Sequence, residues 1–210
     1  MEILDAVNGP AVELSPMFHY YFARGSSGWP WLTYEQGFAA ASTTGICTEA
    51  DFPSVYDRSA FGPGPKDPNN FSQIAERFKI QPFNPTTGEE GWLPLTQANR
   101  LQEWKTTIDQ SLPVLLGIYL SEDYHRLEND HPNRLPDSKL PPSGSPLTQA
   151  RHAAVVSGYN DNIQGDGVFY VSDSRGVGFG DQGTWLLPYQ LVQSNLVIEA
   201  WTVRNITYDM

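Results

Sequence analysis

This chain holds a single cysteine, so its own residues can offer at most one thiol nucleophile, Cys47, in Thr43-Thr-Gly-Ile-Cys-Thr-Glu-Ala-Asp-Phe-Pro53. A thiol attacks only as a thiolate, and it needs a base and a polarised neighbourhood to become one. Cys47 follows an Ala-rich stretch that ends at Gly45, so the simpler reading is a small buried apolar residue rather than a relocated nucleophile. A second constellation, Ser121-Glu-Asp-Tyr-His-Arg-Leu-Glu-Asn-Asp-His131, gathers two His and four acids. Those are ligand types that suit zinc. The segment sits in a Pro-rich loop and lacks helical His spacing, so a solvated loop is expected and no metal site is assigned. Asn160-Asp-Asn-Ile-Gln-Gly-Asp-Gly167 has the look of a calcium loop but no bidentate acid at the right distance. It reads as a hairpin turn.

These residues must be positioned by a mixed set of elements. Ser15 is a good N-cap with Pro16 at the first helical position, followed by Met17, Phe18, Tyr20, Tyr21 and Phe22, which predicts a largely buried helix over 14–24. Residues 33–43 predict a second helix, and Gly25 to Gly28 a break between the two. Residues 57–70 are rich in Pro, Gly and charge and read as a loop. Leu101, Trp104 and Ile108 recur at helical spacing within 95–110. Pro113-Val-Leu-Leu-Gly-Ile-Tyr-Leu120 is a central-strand run, and the polar, Pro-rich residues 121–150 are expected as a long surface loop. From His152 onward the pattern is strand, turn, strand, turn, strand. Helices are thus expected mainly before residue 112 and an antiparallel sheet after it.

The last third resembles the C-terminal half of a papain-like (family C1) cysteine peptidase. The segments that carry the resemblance are His152-Ala-Ala-Val-Val-Ser-Gly-Tyr159, Gly167-Val-Phe-Tyr-Val-Ser-Asp-Ser-Arg-Gly176 and Gly178-Phe-Gly-Asp-Gln-Gly-Thr-Trp185. In that family a Gly-His-Ala-Val strand bears the catalytic His and an Asn-Ser-Trp-Gly turn bears the Asn that orients it. Here His152 fills the first place, Asp173 stands where the Asn belongs, and Arg175 stands where the Trp belongs. Leu14-Ser-Pro16, Gly28-Trp-Pro-Trp31, Leu112-Pro-Val-Leu-Leu-Gly117 and Glu199-Ala-Trp-Thr-Val203 are similar in order and spacing to further family segments. The resemblance implies an α+β fold spanning residues 1–210 as one domain, with a mainly helical lobe over 1–111 and a mainly β lobe over 112–210. The family's nucleophile opens a long central helix ahead of the Leu-Ser motif. Counting back about two dozen residues from Leu14 lands before Met1. Residues 1–8 are therefore expected to be the end of a truncated central helix, with the nucleophilic Cys lacking a counterpart in the chain.

The resemblance implies that Asp173 accepts a hydrogen bond from His152, in vestigial or working form, since some triads use Asp. Arg175 is expected to shield that bond less well than a Trp and to draw the carboxylate away from the imidazole. Gly28, Trp29, Trp31 and Arg175 would line the substrate cleft. Three function readings follow. The first is a pseudopeptidase that binds a peptide or protein partner, with self-association covering the N-terminal helix region. The second is a cysteine peptidase whose Cys-bearing segment is missing from this chain. The third reuses His152 and Asp173 for other acid–base chemistry. No cofactor is implied. The formal net charge of −11 argues against nucleic-acid binding, and no run of 18 apolar residues suggests a membrane span. A single Cys and no visible signal peptide point to a reducing cytoplasm.

Overall fold

The computed structural model describes residues 2–3, 12–25, 32–54, 68–81, 91–95, 98–163, 167–204 and 206–208. In chain order the elements are β1 (Glu2–Ile3), β2 (Val12–Glu13), α1 (Pro16–Arg24), α2 (Tyr34–Thr43), α3 (Pro68–Ala75), β3 (Phe78–Ile80), β4 (Trp92–Pro94), α4 (Arg100–Asp109), β5 (Val114–Ser121), α5 (Glu122–His125), β6 (Leu147–Asn160), β7 (Val168–Ser172), β8 (Thr184–Pro188), α6 (Tyr189–Val192), β9 (Val197–Val203) and β10 (Ile206–Tyr208). They form two compact units, one of Met1–Trp92 with Arg204–Met210 and one of Leu93–Val203. The unit boundary precedes α4, so α4 groups with the sheet and not with the helices before it, whereas the sequence placed it in the helical lobe.

The first unit is built on α1 and α2. The Ser15 hydroxyl accepts from the Phe18 amide at 3.1 Å, as its N-cap position requires. Thr33 and Gln36 form a reciprocal capping box that starts α2. Phe18 is fully buried, and its ring lies 4.4 Å from Phe22, 5.6 Å from Phe52 and 6.4 Å from Phe71. Gly45 ends this part of the chain with φ +83°, and a Cβ there would lie 1.9 Å from the Ala75 carbonyl oxygen, so no side chain fits. Three expectations change here. Glu2 and Ile3 do not continue a helix but pair antiparallel with Glu13 and Val12. β-Branched Ile3 and Val12 favour that outcome. Second, the expected loop over 57–70 gives way to helix at Pro68, where proline suits a first helical turn. Third, the helix expected over 14–24 begins at Pro16, and Leu14 before it bridges to Thr48.

The second unit is a six-stranded sheet ordered β4-β9-β5-β6-β7-β8. The β5/β6, β5/β9, β6/β7 and β7/β8 pairs are all antiparallel. Residues 152–159 and 168–172 are thus neighbouring antiparallel strands, as expected. β5 lies in the interior of the sheet, and Val114, Leu116 and Ile118 along it are fully buried. α4 packs its apolar stripe onto this core. Trp104 is 0 % exposed, with its ring 5.2 Å from Phe169, and Leu101 and Ile108 are partly buried beside it. Residues 121–150 are not one long surface loop, and β6 already starts at Leu147 rather than at His152. They begin with α5, and Tyr124, Leu127, Leu135 and Leu140 enter the core. These four side chains dock on the sheet core although the stretch is polar on average.

Two consequences can be measured. Trp104→Ala should cost about 3–5 kcal/mol in urea unfolding, since it empties a filled core site. His19 has its Nδ1 buried without a partner among the described residues, and burial holds its pKa down to about 4 from 6.5. The unfolded chain takes up this proton as pH falls from 6.5 towards 4, while the fold resists it. Stability should therefore fall across that window by up to about 3 kcal/mol, and His19→Leu should flatten the dependence of the urea midpoint on pH.

Candidate functional site

His152 lies on β6 directly opposite Ile118 of β5, and Ser172 of β7 lies opposite Val155. Continuing that register by one residue sets Asp173 level with Ala154, on the face that carries His152 two positions away. The sheet therefore makes the pair. His152 Nε2 is 3.0 Å from Asp173 Oδ1. Trp185 of β8 stands opposite Val171, again two positions from Asp173, and its Nε1 donates to Asp173 Oδ2 at 3.1 Å. From the far side α5 delivers Tyr124, whose hydroxyl donates to the same Oδ2 at 2.9 Å. The Arg175 backbone N–H completes the set at 3.2 Å from Oδ1.

The Asp173 side chain is 0 % exposed and that of His152 is 18 % exposed. Burial alone would raise the Asp173 pKa, but the hydrogen bond and charge of His152, with the bonds from Tyr124 and Trp185, outweigh it and leave it lowered. Tyr124 is pushed the opposite way, first by burial and then by the Asp173 charge, so its phenol keeps its proton. The carboxylate can only accept, and this places the proton of the shared bond on His152 Nε2. Nδ1 is then the ring nitrogen that can take a proton from another group, which is the arrangement a general base needs.

Arg175 does not draw the carboxylate away from the imidazole, as the sequence had suggested. Its guanidinium pairs with Glu128 and lies over the rings of Tyr124 and Phe179, at 5.1 and 5.3 Å from their centroids. A planar cation stacks on aromatic faces, so Arg175 caps the Tyr124 side of the site. Tyr124, Trp185, Glu128 and Phe179 were not singled out from the sequence. Tyr124 and Glu128 lay inside the charged stretch read as solvated, where only the capping Ser121, three residues before Tyr124, hinted at a fixed structure.

Gly28, Trp29 and Trp31 fall outside the described residues. The two His of the 121–131 stretch are apart in their pairings, His125 with Glu128 at 4.0 Å and His131 with Glu122 at 3.7 Å. No cluster of three or more metal-type ligands occurs among the described residues. The hairpin turn after β6 uses Asn160, whose side chain accepts from the Asn162 amide, and Asp161, which accepts from Lys105 and Tyr189. Cys47 belongs to the first unit and is fully buried. Burial, with the nearby Asp51 charge, pushes its thiol up to about 12, so it is inert as a nucleophile near neutrality. A thiol reagent at pH 8 should therefore modify Cys47 at least about 100-fold more slowly in the native chain than in urea, read by absorbance of the released thiol dye.

Among the described residues no helix is long and apolar enough to cross a membrane. No family model matches the sequence, and no curated protein matches it either. Solved structures do match. Xylellain, a cysteine protease from Xylella fastidiosa, is 19 % identical with a TM-score of 0.69, over 96 % of this chain and 72 % of its own. The clostridial cysteine protease Cwp84 gives 15 % identity and a TM-score of 0.65, over 95 % of this chain and 48 % of its own. The ragweed pollen allergen Amb a 11, a cysteine protease in its proform, gives 18 % and 0.64, over 92 % and 47 %. The chain thus spans about half the length of the last two. Identity at this level speaks for architecture. An α+β chain whose His and Asp meet across antiparallel strands of one sheet, superimposing on these structures along nearly its whole length, has the fold of the papain-like cysteine proteases.

Proposed function

We propose that these 210 residues carry the acid–base half of a papain-type site and have no thiol-peptidase activity of their own. The observation that carries the first part is the His152–Asp173 hydrogen bond inside a complete set of donors. The observation that carries the second is Cys47, the chain's single thiol, buried with a strongly raised pKa. In this reading the chain acts as a pseudopeptidase that binds a peptide or protein partner, with Trp29 and Trp31 as anchors and self-association as one form of partnering. A soluble role in a reducing cytoplasm belongs to the same proposal, in keeping with one cysteine.

A second reading is favoured by the integrity of the His–Asp pair, because a purely binding scaffold has no use for it. Here a thiol from outside these residues meets His152 Nδ1. His152 takes the thiol proton, the thiolate attacks a carbonyl carbon, and His152 returns the proton to the leaving amine. The third reading assigns the pair to other acid–base chemistry.

The purified chain should not cleave fluorogenic peptides, and an epoxide directed at peptidase thiols should label nothing near His152. Cys47→Ala should leave any partner binding intact, while Trp29→Ala or Trp31→Ala should weaken it in calorimetry. Hydrolysis abolished by Cys47→Ala with the fold retained would overturn the proposal. Labelling of a Cys outside these residues in a longer natural form, lost on His152→Ala, would decide for the second reading. An activity lost on His152→Ala but spared by Cys47→Ala would decide for the third.

A further inference from the structure

The orienting position of the pair is built for a carboxylate and not for an amide. Asp173 has two oxygens and about four acceptor directions, and four donors approach them. Oδ1 receives His152 Nε2 at 3.0 Å and the Arg175 N–H at 3.2 Å. Oδ2 receives the Tyr124 hydroxyl at 2.9 Å and Trp185 Nε1 at 3.1 Å. Two of these, the indole N–H and the backbone N–H, can only donate. An Asn in this place offers one accepting oxygen and one donating NH2. Turned one way, its NH2 meets Trp185 Nε1–H. Turned the other way, it meets the Arg175 N–H. Either orientation sets donor against donor at a side chain with no exposed surface of its own, where an unmade bond is costly.

Tyr124 is the part of this arrangement that the strand block does not supply. It comes from α5, held by the Ser121 hydroxyl, which accepts from the Tyr124 amide at 3.3 Å. Its ring lies 5.4 Å from the His152 ring and 4.9 Å from Phe179, with the Arg175 guanidinium on its outer face. The Tyr124 hydroxyl occupies one of the two acceptor directions of Oδ2, and its ring flanks the imidazole.

We propose that Tyr124 is a positioning residue for His152, acting through Asp173: its hydroxyl fixes the carboxylate so that Oδ1 holds the proton on His152 Nε2 and keeps Nδ1 open to the group it serves. This deepens the acid–base reading above and rests on it for its functional meaning. Replacing Asp173 by the Asn that a papain-like pattern calls for should damage the pair rather than restore it.

The test reads the imidazole directly by nitrogen-15 NMR of the full chain and needs no catalytic activity. In the unsubstituted chain His152 should be the Nε2–H tautomer with a slowly exchanging Nε2 proton. Tyr124→Phe keeps the ring and removes only the hydroxyl. It should retain the circular-dichroism spectrum and the resonances of distant core residues. The exchange of the His152 Nε2 proton should rise about tenfold, with the tautomer ratio moving towards a mixture. Asp173→Asn should lose the protected proton altogether. Exchange and tautomer in Tyr124→Phe within twofold of the unsubstituted chain would overturn the proposal. So would a protected Nε2 proton in Asp173→Asn, which carries the test if Tyr124→Phe fails to fold. A protected Nε2–H that depends on Tyr124, in a chain that neither hydrolyses peptides nor completes a thiol site, would leave this inference standing and remove the functional reading beneath it.

Discussion

A buried carboxylate is the constraint around which the sheet unit is arranged. Taking a charged Asp out of water costs several kcal/mol unless its oxygens are fully bonded. Asp173 meets that demand with donors from four places: β6, β8, the turn after β7, and α5. Each donor imposes a condition on the chain. β6 must pair with β7 in the register that sets His152 beside Asp173. β8 must pair so that Trp185 points the same way. The turn must bring the Arg175 N–H over the carboxylate two residues before it, and the chain then returns to β8 past Gly180, where a Cβ would lie 2.2 Å from the Thr184 carbonyl oxygen. The segment after β5 must fold inward so that Tyr124 arrives from the other side. A single-residue slip in either strand pairing would turn His152 or Trp185 to the opposite face.

How much of this the sequence disclosed follows from the range of the interactions. Caps and stripes are local, and they were legible: Ser15 with Pro16, the Thr33 start of α2, and the Leu101, Trp104, Ile108 stripe all stand where their spacing put them. The His152–Asp173 meeting was legible only through resemblance, because two residues far apart in the chain are joined by strand pairing. Tyr124 was missed because its neighbours Glu122, Asp123, His125 and Arg126 make the stretch polar on average. One buried ring in such a run carries no periodic signature, and its partner is on a distant turn. Arg175 was misjudged for a related reason. Its charge suggested Asp173, two residues away, but Glu128 offers an exposed partner and the Tyr124 and Phe179 faces offer a stacking surface, while Asp173 is already filled. At the N-terminus the expectation of a helix end gave way because a two-stranded ladder satisfies Ile3 and Val12 locally.

The first unit shows what the cysteine is for. Cys47 donates weakly to the Phe71 carbonyl at 3.5 Å and sits between Ser15, which bonds to its carbonyl oxygen, and the aromatic cluster around Phe18. Its neighbours treat it as a small apolar side chain. The reactivity that the residue type suggests is removed by burial and by Asp51, and the His152–Asp173 pair lies in the other unit.

That separation has a consequence for how the molecule comes into being. Among the described residues, the four groups bonded to the Asp173 carboxylate lie within Leu93–Val203, so these bonds close within about half of the chain. The pair's assembly is a matter of hairpins and one docked turn. Fraying of the helices before β4 would break none of these four bonds directly. The orientation of the imidazole is thus set by strand register and one docked turn within the sheet unit.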